Sequence, residues 1–201
     1  GVLTLGAMGG SALIKRYQAG QAARLLAQRT RLMNQAGAPS GVLTHRASEV
    51  PYGLPDTEVQ IVKPGSPLKV DKLNPNRRYL WVLDEKGNFR IADEGQGQRF
   101  PRRSRLPKGE PGAGETPLKH GDLTPGQGGQ TRGVARAGGE FRAELDAGGK
   151  PTGRWIMDNN SSYTFMRTDA TTLTATNLDA AKDLLKTTGT DVTRIVTKAI
   201  P

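Results

Sequence analysis

The chemistry this chain can carry starts from His120, one of two histidines, in the stretch Leu118-Lys-His-Gly-Asp-Leu123. A neutral imidazole takes or gives a proton near pH 7, and it can also fix a ribose hydroxyl by hydrogen bonding. A single histidine is by default a surface or satisfied residue, so its company decides. Arg132, Arg136 and Arg142 surround Glu140, and the run Asp158-Asn-Asn-Ser-Ser-Tyr163 follows directly on the apolar Trp155-Ile-Met157. The amides of Asn160, the hydroxyls of Ser161 and Ser162 and the phenol of Tyr163 offer many directed hydrogen bonds. The same run also reads as an Asx-type turn joining two strands. Arg132 and Arg136 suit a diphosphate through their forked donors, and equally suit a salt bridge to Glu140.

Composition narrows the options. With no cysteine, disulfides, zinc thiolate sites and thiol nucleophiles are excluded, and two histidines cannot make a three-histidine metal site. No metal is expected, although carboxylate-rich magnesium binding is not excluded by this count. The balance of 29 Lys+Arg against 19 Asp+Glu gives a net charge of +10. A field of that sign attracts phosphates, which puts nucleic acid, RNA first, at the head of the partner classes; an acidic protein is the alternative. The Gly-rich run 126–129 is not a dinucleotide fingerprint, because no buried strand leads into it and no helix follows.

These groups need a frame, and the pattern predicts an α+β fold: a short-stranded, mainly antiparallel sheet with a C-terminal helix, preceded by a helical N-terminal segment. Residues 1–50 read as that helical segment and a linker, and 51–201 as the catalytic domain. The apolar stretch 1–14 is shorter than the roughly 20 residues a membrane span needs, so no stable span is expected. Its charges follow the apolar part, unlike a signal peptide, and it reads as the cut start of a longer chain. Between Ser11 and Met33, Leu13, Tyr17, Leu25, Leu26, Leu32 and Met33 alternate with Arg16, Arg24, Arg29 and Arg31, the pattern of a basic amphipathic helix. Prolines and glycines from Pro39 to Pro55 then suggest a linker.

Tyr79–Leu83 and Phe89–Ala92, separated by Asp84-Glu-Lys-Gly-Asn88, form a hairpin signature. From 93 to 117 the chain is rich in Gly, Pro and Arg and is expected to be a mobile loop, with Arg99, Arg102, Arg103, Arg105 and Lys108 either solvated or gripping phosphates. Further strands are expected around Leu118, over Thr131–Ala135, Glu140–Leu145, Arg154–Met157 and Tyr163–Met166. Gly138, Gly139, Gly148 and Gly149 are expected at turns with positive φ. A helix over Leu178–Lys186, stopped by Gly189, and a strand Val192–Val196 close the fold.

The pattern His120-Gly-Asp-Leu, then Arg132-Gly-Val-Ala-Arg-Ala-Gly-Gly-Glu140, then Trp155-Ile-Met-Asp-Asn-Asn-Ser-Ser-Tyr163 resembles the C-terminal toxin modules of Rhs-type polymorphic toxins, over roughly Tyr79 to Val196. A more distant likeness to plant calmodulin-binding IQ-motif proteins departs at Asp122, Gly138 and a missing second histidine, and nothing is carried over from it. The Rhs resemblance implies an antibacterial toxin secreted by a type VI system into a target cell's cytoplasm, with a cognate immunity protein, which the charge implies is acidic. Within that class the His-Gly pair is similar to the first strand of the His-Tyr-Glu ADP-ribosyltransferases, which implies NAD as substrate and RNA as target.

On that resemblance His120 contacts the nicotinamide ribose and Tyr163 stacks on the nicotinamide ring. Glu140, or a later acid such as Asp169, stabilises the cationic sugar, while Arg132, Arg136, Asn160, Ser161 and Ser162 hold the cofactor. Glu140 precedes Tyr163 here, against the order of that class. A metal-independent ribonuclease is the rival, with His120 as base toward a 2′-hydroxyl and Arg132 or Arg136 stabilising the phosphorane. A non-enzymatic basic interaction module is the third possibility.

Overall fold

The computed structural model describes residues 5–37, 42–44, 59–95, 118–124, 135–161, 164–166 and 175–200. In chain order the elements are helix α1 (Leu5–Ala36), strands β1 (Val42–Thr44), β2 (Gln60–Val62), β3 (Arg78–Leu83), β4 (Phe89–Asp93), β5 (Ala137–Leu145), β6 (Pro151–Asp158) and β7 (Thr164–Met166), helix α2 (Ala175–Lys186) and strand β8 (Ile195–Lys198). Six strands form one sheet in the order β2-β4-β3-β5-β6-β8, antiparallel throughout except for the parallel β6–β8 pair; β1 and β7 form a separate antiparallel pair. The fold is α+β, as expected.

The hairpin forms where predicted because five residues between two apolar runs close a tight turn. Asp84 accepts from the Gly87 and Asn88 N–H groups, and Gly87 takes the positive φ of 80° that the turn requires. Strand alternation then sorts side chains to two faces. Trp81, Leu83, Phe89, Ile91, Phe141, Trp155 and Met157 face one side, where Leu178, Ala181, Leu184 and Leu185 of α2 and Leu32 and Ala36 of α1 cover them. Phe141 and Trp155 stack at 5.4 Å, with Tyr79 edge-on to Trp155. On the opposite face Leu80, Val82 and Ala92 pack with Val59, Ala135, Leu118 and Leu123.

Several local expectations change. Val42–Thr44, inside the expected linker, is a strand paired with β7. The expected strand around Leu118 is a 3-10 turn, His120–Leu123, held by its own polar groups: Asp122 accepts from the Lys119 N–H, and Arg90 donates to the Leu123 carbonyl. The last strand begins at Ile195 rather than Val192. Gly138 and Gly139 lie inside β5 rather than in a turn, and among the glycines of the expected set only Gly149 has a positive φ. The helix expected over 11–33 is longer at both ends. From Gly10 onward its side chains are exposed until the last turns, and the expected apolar face is split: Leu13, Tyr17 and Leu26 are exposed, whereas Arg29 is buried. Thr131–Val134 and the basic block 99–108 lie outside the described residues.

Candidate active site

The face of the sheet opposite α1 and α2 carries a charged patch built from β3, β4, β5 and the end of β6. Register sets it: Leu80 opposes Glu140, Arg78 opposes Arg142, and alternation places Arg78, Glu94, Glu140 and Arg142 on that face. Arg78 pairs with Glu94 and stands 3.8 Å from Glu140. Arg142 stands 3.4 Å from Asp158. Both Glu140 and Asp158 are buried and so are pushed toward protonation; Arg78 pulls Glu140 back, and hydrogen bonds from the Asn160 and Glu140 N–H groups pull Asp158 back.

His120 reaches this patch from the 3-10 turn. Its Nε2 lies 2.8 Å from the Gly139 carbonyl oxygen and its Nδ1 lies 3.1 Å from Ser161 Oγ. A carbonyl only accepts, so Nε2 carries the proton and, in the neutral ring, Nδ1 accepts from the serine hydroxyl. The ring is 4% exposed, and burial lowers its pKa from 6.5 to about 4; the bond to Gly139 opposes this, Lys119 adds to it and Asp122 works against it. Neutral imidazole is the state at neutral pH. The turn that carries it is anchored at its start, where the Leu118 N–H donates to the Glu94 carbonyl at 2.6 Å.

Gly139 makes the approach of β5 and β6 possible. A Cβ there would come within 1.8 Å of the Asp158 carbonyl oxygen, which accepts instead from the Trp81 indole N–H at 3.1 Å. The glycine is required by crowding rather than by its dihedral freedom. It also places its own carbonyl under His120 and Glu140 one residue further along the strand.

The polar run after β6 divides its labour. Asp158 Oδ1 accepts from the Glu140 N–H at 3.0 Å and the Asn160 N–H at 2.9 Å, the Asx turn that the composition allowed. Its Oδ2 is buried with no hydrogen-bond partner among the described residues and lies 3.4 Å from the Arg142 guanidinium, with the Arg78 charge also acting on the carboxyl. Asn159 pairs with the backbone of Ile200 in both directions. Asn160 gives its side chain to Glu140, and Ser161 gives its hydroxyl to His120. Two of these residues therefore hold the fold, and two touch the groups of interest.

Of the sequence-derived set, His120, Glu140, Asn160 and Ser161 come together. Arg136 is engaged elsewhere: it donates to the Glu85 carbonyl at 3.1 Å and to Asn34 Oδ1 at 3.0 Å, clamping α1 to the hairpin turn, so it is not placed to hold a diphosphate beside His120. Arg132, Ser162, Tyr163, Asp169, and Arg99, Arg102, Arg103, Arg105 and Lys108 lie outside the described residues. The likeness of the His-Gly pair to a transferase's first strand does not extend to the backbone, because His120 sits on a 3-10 turn. Arg78 and Glu94 were missed, though the hairpin contained the signal: a register opposing Leu83 with Phe89 continues to oppose position 78 with 94.

No group of three or more His, Asp or Glu that could hold a metal occurs among the described residues, and no helix among them is long and apolar enough to cross a membrane. A cleft of about 270 Å³ between residues 67–71 and the segment 189–194 that follows α2 contains none of the residues above. No family model, curated protein or solved structure matches the chain.

Proposed function

We propose that the chain is an antibacterial toxin domain that transfers ADP-ribose from NAD to a polyanionic target, RNA first, on the face of the sheet opposite α1 and α2. The observation that carries this reading is the neutral imidazole of His120, buried between the Gly139 carbonyl and the Ser161 hydroxyl, one residue along the strand from the Glu140 carboxyl. Loss of nicotinamide leaves an oxocarbenium-like sugar, which demands a nearby carboxylate and fixed hydrogen-bonding groups but no imidazolium. Glu140 is the carboxylate: burial raises its pKa, while Arg78 and the Asn160 side chain oppose that shift and favour the ionised form.

The ribonuclease alternative fares worse on the same residues. It asks one histidine to accept and return a proton near neutrality, whereas burial lowers the pKa of this ring to about 4 and so disfavours the imidazolium that would return it. The partner classes follow from charge and resemblance: delivery into the cytoplasm of a competitor, and an acidic immunity protein that covers this face.

The test is incubation of purified chain with RNA, with and without NAD. Nicotinamide release together with a mass gain on intact RNA is expected, and Glu140→Gln should lower the rate by about 100-fold or more. Strand shortening without NAD would replace this reading with the ribonuclease; NAD untouched and RNA intact would leave a binding module.

A further inference from the structure

The large hydrophobic side chains left open to solvent are not scattered. Of the seven among the described residues, five (Leu13, Ile14, Tyr17, Leu25 and Leu26) stand on the first half of α1, where every residue from Gly10 to Gln28 is exposed. That stretch is about 28 Å of helix without a buried residue. It carries no acid to form an ion pair one turn away, and Gly10 and Gly20 lower its intrinsic helix stability. Such a helix is marginal on its own, and what its composition lacks is a covering surface.

Helix geometry says where that surface lies. Residues eleven or eighteen apart return to roughly the same side of an α-helix, so Ile14 and Leu25 stand in line with Leu32 and Ala36, which are buried in the core. The core-facing side of α1 therefore continues, uncovered, past Arg29, whose bonds to the Gly87 carbonyl and the Thr187 hydroxyl mark the edge of the domain. Lys15 flanks this line on one side and Arg24 and Arg31 on the other, while Leu26 lies about a third of a turn away. The space along the line is a notch between the helix and the body of the domain.

We propose that this side of α1 is the docking surface for an acidic protein that lays the apolar face of a helix into the notch. Charge selects the partner: α1 carries Lys15, Arg16, Arg24, Arg29 and Arg31 and no acid, so a second copy brings like charges together. Shape selects against a bilayer, because a flat surface that meets Ile14 and Leu25 runs into the domain on which Leu32 and Ala36 pack. Nucleic acid has a use for the cations and none for the apolar line. None of this depends on the chemistry at His120 or Glu140.

The probe is a fluorescent amphipathic peptide of about three heptads, with leucine at a and d, glutamate at e and g and alanine elsewhere. Anisotropy should show saturable binding to the whole chain at about 10–100 µM, and none for a peptide of the same composition in scrambled order. Ile14→Ser with Leu25→Ser should weaken binding by about tenfold or more, and Gln at Lys15, Arg24 and Arg31 should do the same while flattening its salt dependence. Leu26→Ser removes a side chain as open as these, 67% exposed against 58% for Ile14, and should change binding by less than about twofold. No binding up to about 1 mM, equal binding of the scrambled peptide, or an equal loss in Leu26→Ser overturns the proposal. A loss confined to the Gln variant also overturns it and makes the helix a general grip for polyanions. So does a dimer in sedimentation that the two serines dissolve, which assigns the surface to a second copy. Capture by phosphatidylcholine–phosphatidylglycerol vesicles through the same two residues overturns it in favour of a membrane.

Discussion

With Nε2–H given to Gly139 and Nδ1 filled by Ser161, His120 can take a second proton only by turning the serine hydroxyl away, in a site where water cannot solvate the new charge. The consequence is a pH term in stability. His120 has its folded pKa depressed, from 6.5 to about 4, by burial, so its contribution is present above pH 6.5 and is lost as pH falls through that window, when the unfolded chain binds the proton and the folded one does not. The gap corresponds to about 3 kcal/mol. Lys119 and Asp122 are the charged neighbours and act in opposite directions. Glu140 and Asp158, whose folded pKa values are raised by burial, contribute with the reverse sign: their stability is present at low pH and lost as pH rises through their folded values. Comparison with His120→Gln separates the terms. Urea unfolding between pH 7 and 4 should show wild type losing more stability on acidification than the variant does, whatever their absolute stabilities. Parallel pH profiles for the two proteins would mean that the ring is charged and solvated in the native state.

At the level of elements, helix α1 has two unequal halves. From Gly10 to Gln28 its side chains are exposed, whereas Leu32 and Ala36 join the core, and Arg29 donates to the Gly87 carbonyl and the Thr187 hydroxyl, tying the helix to the hairpin turn and to the end of α2. Leu32→Ala should therefore cost about 2–5 kcal/mol through transfer and cavity terms, while Leu13→Ala and Tyr17→Ala should stay within about 0.5 kcal/mol. Denaturant midpoints check this, and equal losses at Leu13 and Leu32 would mean that the first half of the helix is covered in solution. The contrast also marks how far pattern alone reaches. The α1 helix, the β3–β4 hairpin and α2 were legible because periodicity and turn residues are local, and the His120 and Asn160-Ser161 groups were legible as unusual polar composition. Which half of α1 packs, the parallel insertion of β8 beside β6, and the Arg78–Glu94–Glu140 cluster were not, because each depends on partners far away in the chain. Gly139 shows the limit most plainly: two adjacent glycines suggest a turn, and only the carbonyl of Asp158, far along the chain, reveals that the space is filled by another strand.

Across the whole molecule the charge is unevenly held. Helix α1 carries five basic residues and no acid, and the segment 99–108 carries Arg99, Arg102, Arg103, Arg105 and Lys108 and no acid; these ten account for the full net charge of +10. Elsewhere acids and bases balance, and arginines of the sheet are paired, as in Arg77–Asp93, Arg78–Glu94 and Arg154–Glu144. The segment containing 99–108 leaves the sheet after Glu94 and returns at Leu118, whose N–H donates to the Glu94 carbonyl. The described residues that flank it, Glu94 and Leu118, stand beside Arg78 and the turn bearing His120. If they grip RNA, affinity must fall with salt in proportion to the phosphates neutralised, with a slope in log–log form of about −0.7 for each on a single strand. Replacing the five with Gln should make the slope of single-stranded RNA binding shallower by up to about 3 to 4, without moving the midpoint of thermal unfolding. Replacing the four exposed cations of α1, Lys15, Arg16, Arg24 and Arg31, should change the slope less, because that helix is tied down at the opposite face, against α2. An unchanged slope after removing the 99–108 cations would assign them to solvent and move the electrostatic grip to the helix.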